Sequence, residues 1–299
     1  MGFALVALLV LGELAGCGRA QLQPAGPISA AEREILLDSV VIMLAIVVPT
    51  IVATLAVAWW YRSSNRRARR QPDFVYSGRI EIVVWSIPAL VVIFLGGIAW
   101  IGSHDLDPAK PLPSKVAPLD IQVVSLDWKW LFIYPKLGIA SVDRLVVPAG
   151  VPLHLMLTSA TVWNVFWVPQ LGSMIYCMHG MADTLYLEAS KPGVYYGESA
   201  MISGDGFADM HFHTDAVSPE RFNAWVASTR SVGPVLDEQS YRGLLRQSVP
   251  ARPYTYRSVQ PGLFANIVLL RLPPGEGPHG GVSSVQPIGG SNVHPVRLK

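Results

Sequence analysis

Val194-Tyr195-Tyr196-Gly197-Glu198-Ser199-Ala200-Met201-Ile202-Ser203-Gly204-Asp205-Gly206-Phe207-Ala208-Asp209-Met210 decides how the chain is read. Its residue types give a strand, a glycine-rich turn and a second strand. Tyr195 and Tyr196 suit a pleated, half-buried surface. Gly204 and Gly206 supply the backbone freedom of a tight loop. No catalytic constellation lies within it. Working outward, strand-like runs bounded by Gly and Pro surround it, at residues 121–125, 145–147, 151–157 and 184–187. That spacing predicts an antiparallel β-sandwich.

The loop resembles the copper loop of the respiratory oxidase subunit II family with its ligands replaced. The family pattern is Cys-x-Glu-x-Cys-Gly-x-x-His-x-x-Met. Its two thiolates bridge two copper ions, and imidazole and thioether complete a soft electron-transfer site. Laid on this chain without gaps, the Cys positions fall on Ser199 and Ser203. The Glu falls on Met201, the Gly on Gly204, the His on Phe207 and the Met on Met210. A further family His stands shortly before a Val-Pro or Ile-Pro; here that place holds Asn164, ahead of Val168-Pro169. Two hydroxyls and one thioether cannot hold a binuclear copper pair. Scaffold without metal resembles the quinol-oxidising branch, the cytochrome bo-type ubiquinol oxidases. The aromatic stretch Asp127-Trp128-Lys129-Trp130-Leu131-Phe132-Ile133-Tyr134-Pro135, Leu171-Gly172-Ser173, and the tail segments around Tyr254 and Phe264 resemble the same branch.

Composition fits a membrane protein. The chain has 299 residues, 51% hydrophobic and 15% charged, which is too apolar for an ordinary soluble domain. A net charge of +2 makes no case for nucleic acid. The apolar run at residues 3–11 leads to Leu14-Ala15-Gly16-Cys17, which resembles a bacterial lipoprotein box with Cys17 as the lipidated residue. No Lys or Arg precedes that run and Glu13 interrupts its end; a buried free thiol is the alternative for Cys17. Two apolar segments follow, one ending at Trp59, Trp60 and Tyr61, the other near Trp100. Each is long enough to cross about 30 Å of hydrocarbon. Between them stand Arg62, Arg66, Arg67, Arg69 and Arg70, and the positive-inside rule places that loop in the cytoplasm. Both ends of the hairpin, and the β domain, then lie on the exported face. Gly96 and Gly97 are expected to allow close helix packing.

Glu81 is an ionisable group at the start of the second span. It has two readings, a functional intramembrane acid or an acid placed favourably at a helix N-terminus. The resemblance implies the first, at the entrance of a proton-uptake channel shared with subunit I. Cys177-x-His179 is too small for a metal centre. His211 and His213 share one strand face and could take an ion only adventitiously. Trp128 and Trp130 are expected in packing roles.

The expected fold class is a membrane α-helical hairpin of two transmembrane helices, an all-β cupredoxin-like Greek-key domain and a small C-terminal helical segment. The expected divisions are a lipoprotein signal peptide at 1–16, a linker at 17–34, the hairpin at 35–102, a linker at 103–118, the periplasmic domain at 119–217, a helical, aromatic-rich segment at 218–271 and a disordered tail at 272–299. Within that segment, Ser218-Pro219 starts one helix and a second covers 236–247. The resemblance implies subunit II of a proton-pumping quinol oxidase in a bacterial inner membrane. Subunit I would carry the haems and copper B, and this chain no cofactor. Its partners would be subunit I, small membrane subunits, membrane lipid and, for the complex, ubiquinol. Two other readings stand beside it, a lipid-anchored binding or assembly domain outside any oxidase and a cytochrome c oxidase subunit II.

Overall fold

The computed structural model describes residues 22–69, 74–250, 252–275 and 277. The signal segment, Cys17 and most of the tail lie outside the described residues. Helix α1 (Pro27–Trp60) and helix α2 (Gly78–Asp105) have 34 and 28 residues. At about 1.5 Å per residue both exceed a hydrocarbon thickness of about 30 Å. They are apolar all round and, in the lone chain, largely exposed, as membrane-facing helices are. Pro49 and Pro88 lie inside them.

The structure revises the expected linker at 17–34, because α1 starts at Pro27. Proline at its first position is pre-set for a helix, and the Gly26 N–H donates to Ser29 Oγ at 3.2 Å. The helix start is also docked on the β domain. Ser29 Oγ donates to the Gln170 carbonyl at 2.7 Å. The Ala25 N–H reaches the same carbonyl, and the Ser190 N–H donates to Ala25 O, each at 2.8 Å. Among the described residues a Cβ on Gly96 or Gly97 would meet no atom within 4 Å, so the pair does not make the contact between the two helices of this chain. The close helix approach is at Gly102, where a Cβ would sit 2.7 Å from Ile35 Cδ1. At 100° per residue, Gly96 and Gly97 are turned well away from that face.

The domain strands are β1 (Leu119–Leu126), β2 (Lys129–Tyr134), β3 (Ile139–Val142), β4 (Arg144–Pro148), β5 (Pro152–Ser159), β6 (Asn164–Val168), β7 (Gly172–Cys177), β8 (Asp183–Glu188), β9 (Gly193–Ser199) and β10 (His211–Val217). After them come α3 (Pro219–Ser231), β11 (Val235–Leu236), α4 (Glu238–Leu244), β12 (Tyr254–Tyr256), β13 (Ser258–Val259) and α5 (Leu263–Val268). One sheet has the order β12-β3-β2-β1-β5-β8, the other β4-β10-β9-β6-β7. The sandwich is not wholly antiparallel. Strands β1 and β5 pair in parallel, as do β4 and β10, because the chain crosses between sheets rather than returning by hairpins.

Trp130, Phe132, Tyr134, Phe166 and Phe212 fill the core between the sheets. A second core forms on the outer face of the larger sheet, where Leu131, Ile133 and Val142 meet Tyr241, Leu244, Phe264 and Ile267. The C-terminal segment is thus part of the domain, and β12 adds a strand to its sheet. As expected, Ser218 caps α3 and accepts from the Arg221 N–H, with Pro219 at the first position. The second helix is shorter than 236–247, because Leu236 is drawn into a strand with Val259 and Asp237 caps the helix. The tail does not begin at 272 as expected: Leu272 is buried, and the Gly275 N–H donates to Ala160 O at 3.2 Å.

Candidate functional site

Strands β9 and β10 are neighbours, and the loop between them closes over the end of β6. The Ser199 N–H donates to Met210 O at 3.3 Å and the Ala200 N–H to Val165 O at 3.1 Å. These bonds hold the loop's two ends and the start of β6 together. Four of the six candidate positions meet there. Asn164 is fully buried, and Ser199, Ser203 and Met210 are nearly so. Ser199 Oγ donates to Asn164 Oδ1 at 3.0 Å, and Ser203 Oγ lies 3.8 Å from Met210 Sδ. The Asn164 amide also lies within 3.5 Å of Ser125 Oγ.

The other two positions stand apart. Met201 joins only through its carbonyl, which accepts from Ser199 Oγ at 3.2 Å, while its side chain is exposed. Phe207 is half-buried in a short 3-10 turn, Phe207–Asp209. The convergent side-chain donors are therefore two hydroxyls, a carboxamide and a thioether. Hard oxygen and amide groups satisfy one another here, and they are a poor match for a soft copper pair.

Beneath the loop lies an aromatic cluster. The Trp130 ring centroid is 5.5 Å from that of Phe166 and 5.6 Å from that of Phe212. Such edge-on contacts add to the burial of the rings. Trp130 Nε1 is buried without a partner among the described residues. Cys177 is buried, and desolvation pushes its thiol far above the ordinary range. His179 Nδ1 lies 3.1 Å from Ser159 O. His211 and His213 are exposed, with centroids 6.4 Å apart. Among the described residues no three His, Cys, Asp or Glu side chains gather as a metal site. Glu81 sits in the first turn of α2, exposed in the lone chain and remote from this loop.

Sequence reasoning gave Trp128 a packing role without placing it at the loop, and missed Lys129. Trp128 lies over the loop: its indole N–H donates to Ser203 O at 3.2 Å. Lys129 is a buried cation whose Nζ reaches Ser248 Oγ at 2.6 Å. Strand β2 does not alternate between a buried and an exposed face: all six of its residues are buried, Lys129 included. The signal was the unbroken apolar run Leu131-Phe132-Ile133-Tyr134, which marks a strand covered on both faces.

The model of the cytochrome c oxidase subunit II periplasmic domain matches residues 121–217. Ubiquinol oxidase subunit 2 of Acetobacter aceti is 47% identical over 257 residues, covering 85% of this chain and 83% of that protein. Cytochrome bo(3) ubiquinol oxidase subunit 2 of Pseudomonas aeruginosa is 44% identical, covering 85% of this chain and 77% of that protein. Quinol oxidase subunit 2 of Bacillus anthracis is 33% identical, covering 83% and 87%. The likeness thus extends well beyond the β domain, over the helices and most of the C-terminal segment.

Proposed function

The chain belongs to the ubiquinol oxidase subunit 2 family, and from that premise we propose that it is the subunit II of a quinol-oxidising complex that takes no electrons itself. The observation that carries this is the donor set at the loop, where Ser199 bonds Asn164, Asn164 bonds Ser125, and Ser203 lies against the Met210 thioether. Among the described residues no thiolate or imidazole converges there to pass electrons through copper. The complex would oxidise ubiquinol and reduce oxygen at haems and copper B in subunit I, with proton pumping. Helices α1 and α2 would pack against subunit I and small membrane subunits, and the β domain would cap the exported face of a bacterial inner membrane. The topology supports this: α1 begins and α2 ends at the β domain, which leaves Arg62, Arg66, Arg67 and Arg69 at the opposite end.

The test is to isolate the complex through a tag on this chain. The expected result is haem, no copper beyond what subunit I accounts for, and oxygen uptake with quinol but not with reduced cytochrome c. Extra copper with cytochrome c activity would reverse the reading. A chain isolated without haem would point to an anchored binding domain outside any oxidase.

Glu81 is proposed as the group that passes protons to subunit I. Its place at the Arg-loop end of α2, open to a neighbouring subunit, supports the role. Glu81→Gln is expected to lower quinol-driven turnover about tenfold, or about 1.4 kcal/mol of barrier, with haem content and KM kept. Turnover equal to wild type would remove the role. Cys17 is proposed as the site of lipidation. Radiolabelled fatty acid should enter the wild-type chain and not Cys17→Ser; equal labelling of both would reject the anchor.

A further inference from the structure

In a copper-bearing loop the ions themselves tie the ligating residues together. A loop built from Ser199, Ser203, Phe207 and Met210 needs another tether, and the turn between β1 and β2 supplies one. Trp128 occupies it with φ of 67°, in the left-handed region that a bulky side chain rarely adopts. Such a conformation persists only where its surroundings hold it. On one side its Nε1–H bonds Ser203 O at 3.2 Å, and Gly206 lies flat against the indole, where any Cβ would overlap the ring.

The residues flanking Trp128 grip the C-terminal segment. Lys129 is 1% exposed. Its Nζ lies 2.8 Å from Arg246 O, 3.1 Å from Ser248 O, 2.6 Å from Ser248 Oγ and 3.3 Å from Asp127 O. A buried ammonium is tolerated only when oxygens replace its water, and most of these come from residues 246–248. Asp127 is 2% exposed and accepts from Thr161 Oγ1 at 2.6 Å and the Gly277 N–H at 3.1 Å. The Ser248 N–H reaches Asp127 O at 3.4 Å.

We infer that residues 246–248, held by Lys129, fix the loop at 203–207 through Trp128 and so take the structural place of a metal. Lys129 and Trp128 are positioning residues for that loop. The inference rests on the metal-free reading of the loop given above.

Hydrogen–deuterium exchange on the intact complex tests it, with copper analysis of the same preparation. Trp128→Phe removes one N–H and keeps an aromatic ring. Ser248→Ala removes one acceptor on the far side of the turn. Both are expected to speed exchange of the amides at 203–210 about tenfold, with β5 and β8 unchanged. Lys129→Met should exceed both; should that variant fail to fold, the two milder ones still decide. Loop exchange equal to wild type in Trp128→Phe and Ser248→Ala, in a complex without copper at this loop, overturns the tether. Acceleration spread evenly over the domain overturns it too, because it marks general loosening. Copper at the loop would instead defeat the metal-free reading on which the tether rests.

Discussion

Asp143→Asn is expected to stabilise the folded chain, by about 3 kcal/mol more at pH 8 than at pH 5. Asp143 forms the tight turn between β3 and β4, and its Oδ1 accepts from the Trp130 N–H at 2.7 Å. Burial pushes its carboxyl up from the ordinary 3.8 to about 7, against the opposing pull of that hydrogen bond and of Lys129. The folded state therefore holds a proton that the unfolded chain has released. Stability from this group is fully present below the ordinary carboxylate range and is lost as pH rises from about 4 to about 7, at about 1.4 kcal/mol per pH unit. Asparagine keeps the acceptor, carries no charge and tolerates the turn's φ of 56°. Urea unfolding of the full chain in detergent at the two pH values measures the difference. An advantage of equal size at both would show that the carboxyl does not titrate in this window.

Gly26→Ala should release the membrane hairpin from the β domain. Gly26 has φ of −134°, extended backbone open to any residue, so the loss would be steric. A Cβ there would overlap the main-chain oxygen of Glu188 and lie 3.0 Å from that of Leu171. Both atoms belong to packed backbone and cannot turn aside as a side chain could. Overpacking of this kind costs about 1–3 kcal/mol. The expected readouts are faster proteolysis at residues 22–26 and less haem co-purified through a tag on this chain. Wild-type behaviour in both would show that the contact yields.

Much of this molecule was legible in its sequence because its signals are long or chemically specific. Two apolar runs ending near tryptophans gave helices long and apolar enough to cross a membrane, and the hydroxyls, amide and thioether of the loop could be read directly as residue types. The docked start of α1 was hidden because Ala25, Gly26 and Ser29 look like linker residues; their partners, Gln170 and Glu188, are far along the chain. Lys129 was hidden because a cation reads as exposed until its cage is seen, and that cage comes from residues 246–248. Gly96 and Gly97 offered a familiar packing signal, while the contact between α1 and α2 is at Gly102 and depends on helix phase. In each case the missing information was a long-range partner, which no local pattern carries.

Strand β12 bears on how the chain is made. The edge of β3 is covered by Tyr254, Thr255 and Tyr256, which arrive near the end of the chain. Without that strand, the larger sheet would present there an open row of unpaired amides and carbonyls. Closing it joins residues distant in sequence, and such closures are slow. A chain cut short before residue 254 would keep this sticky border permanently. The last part of the chain thus removes one pairing edge from the larger sheet of the domain that precedes it.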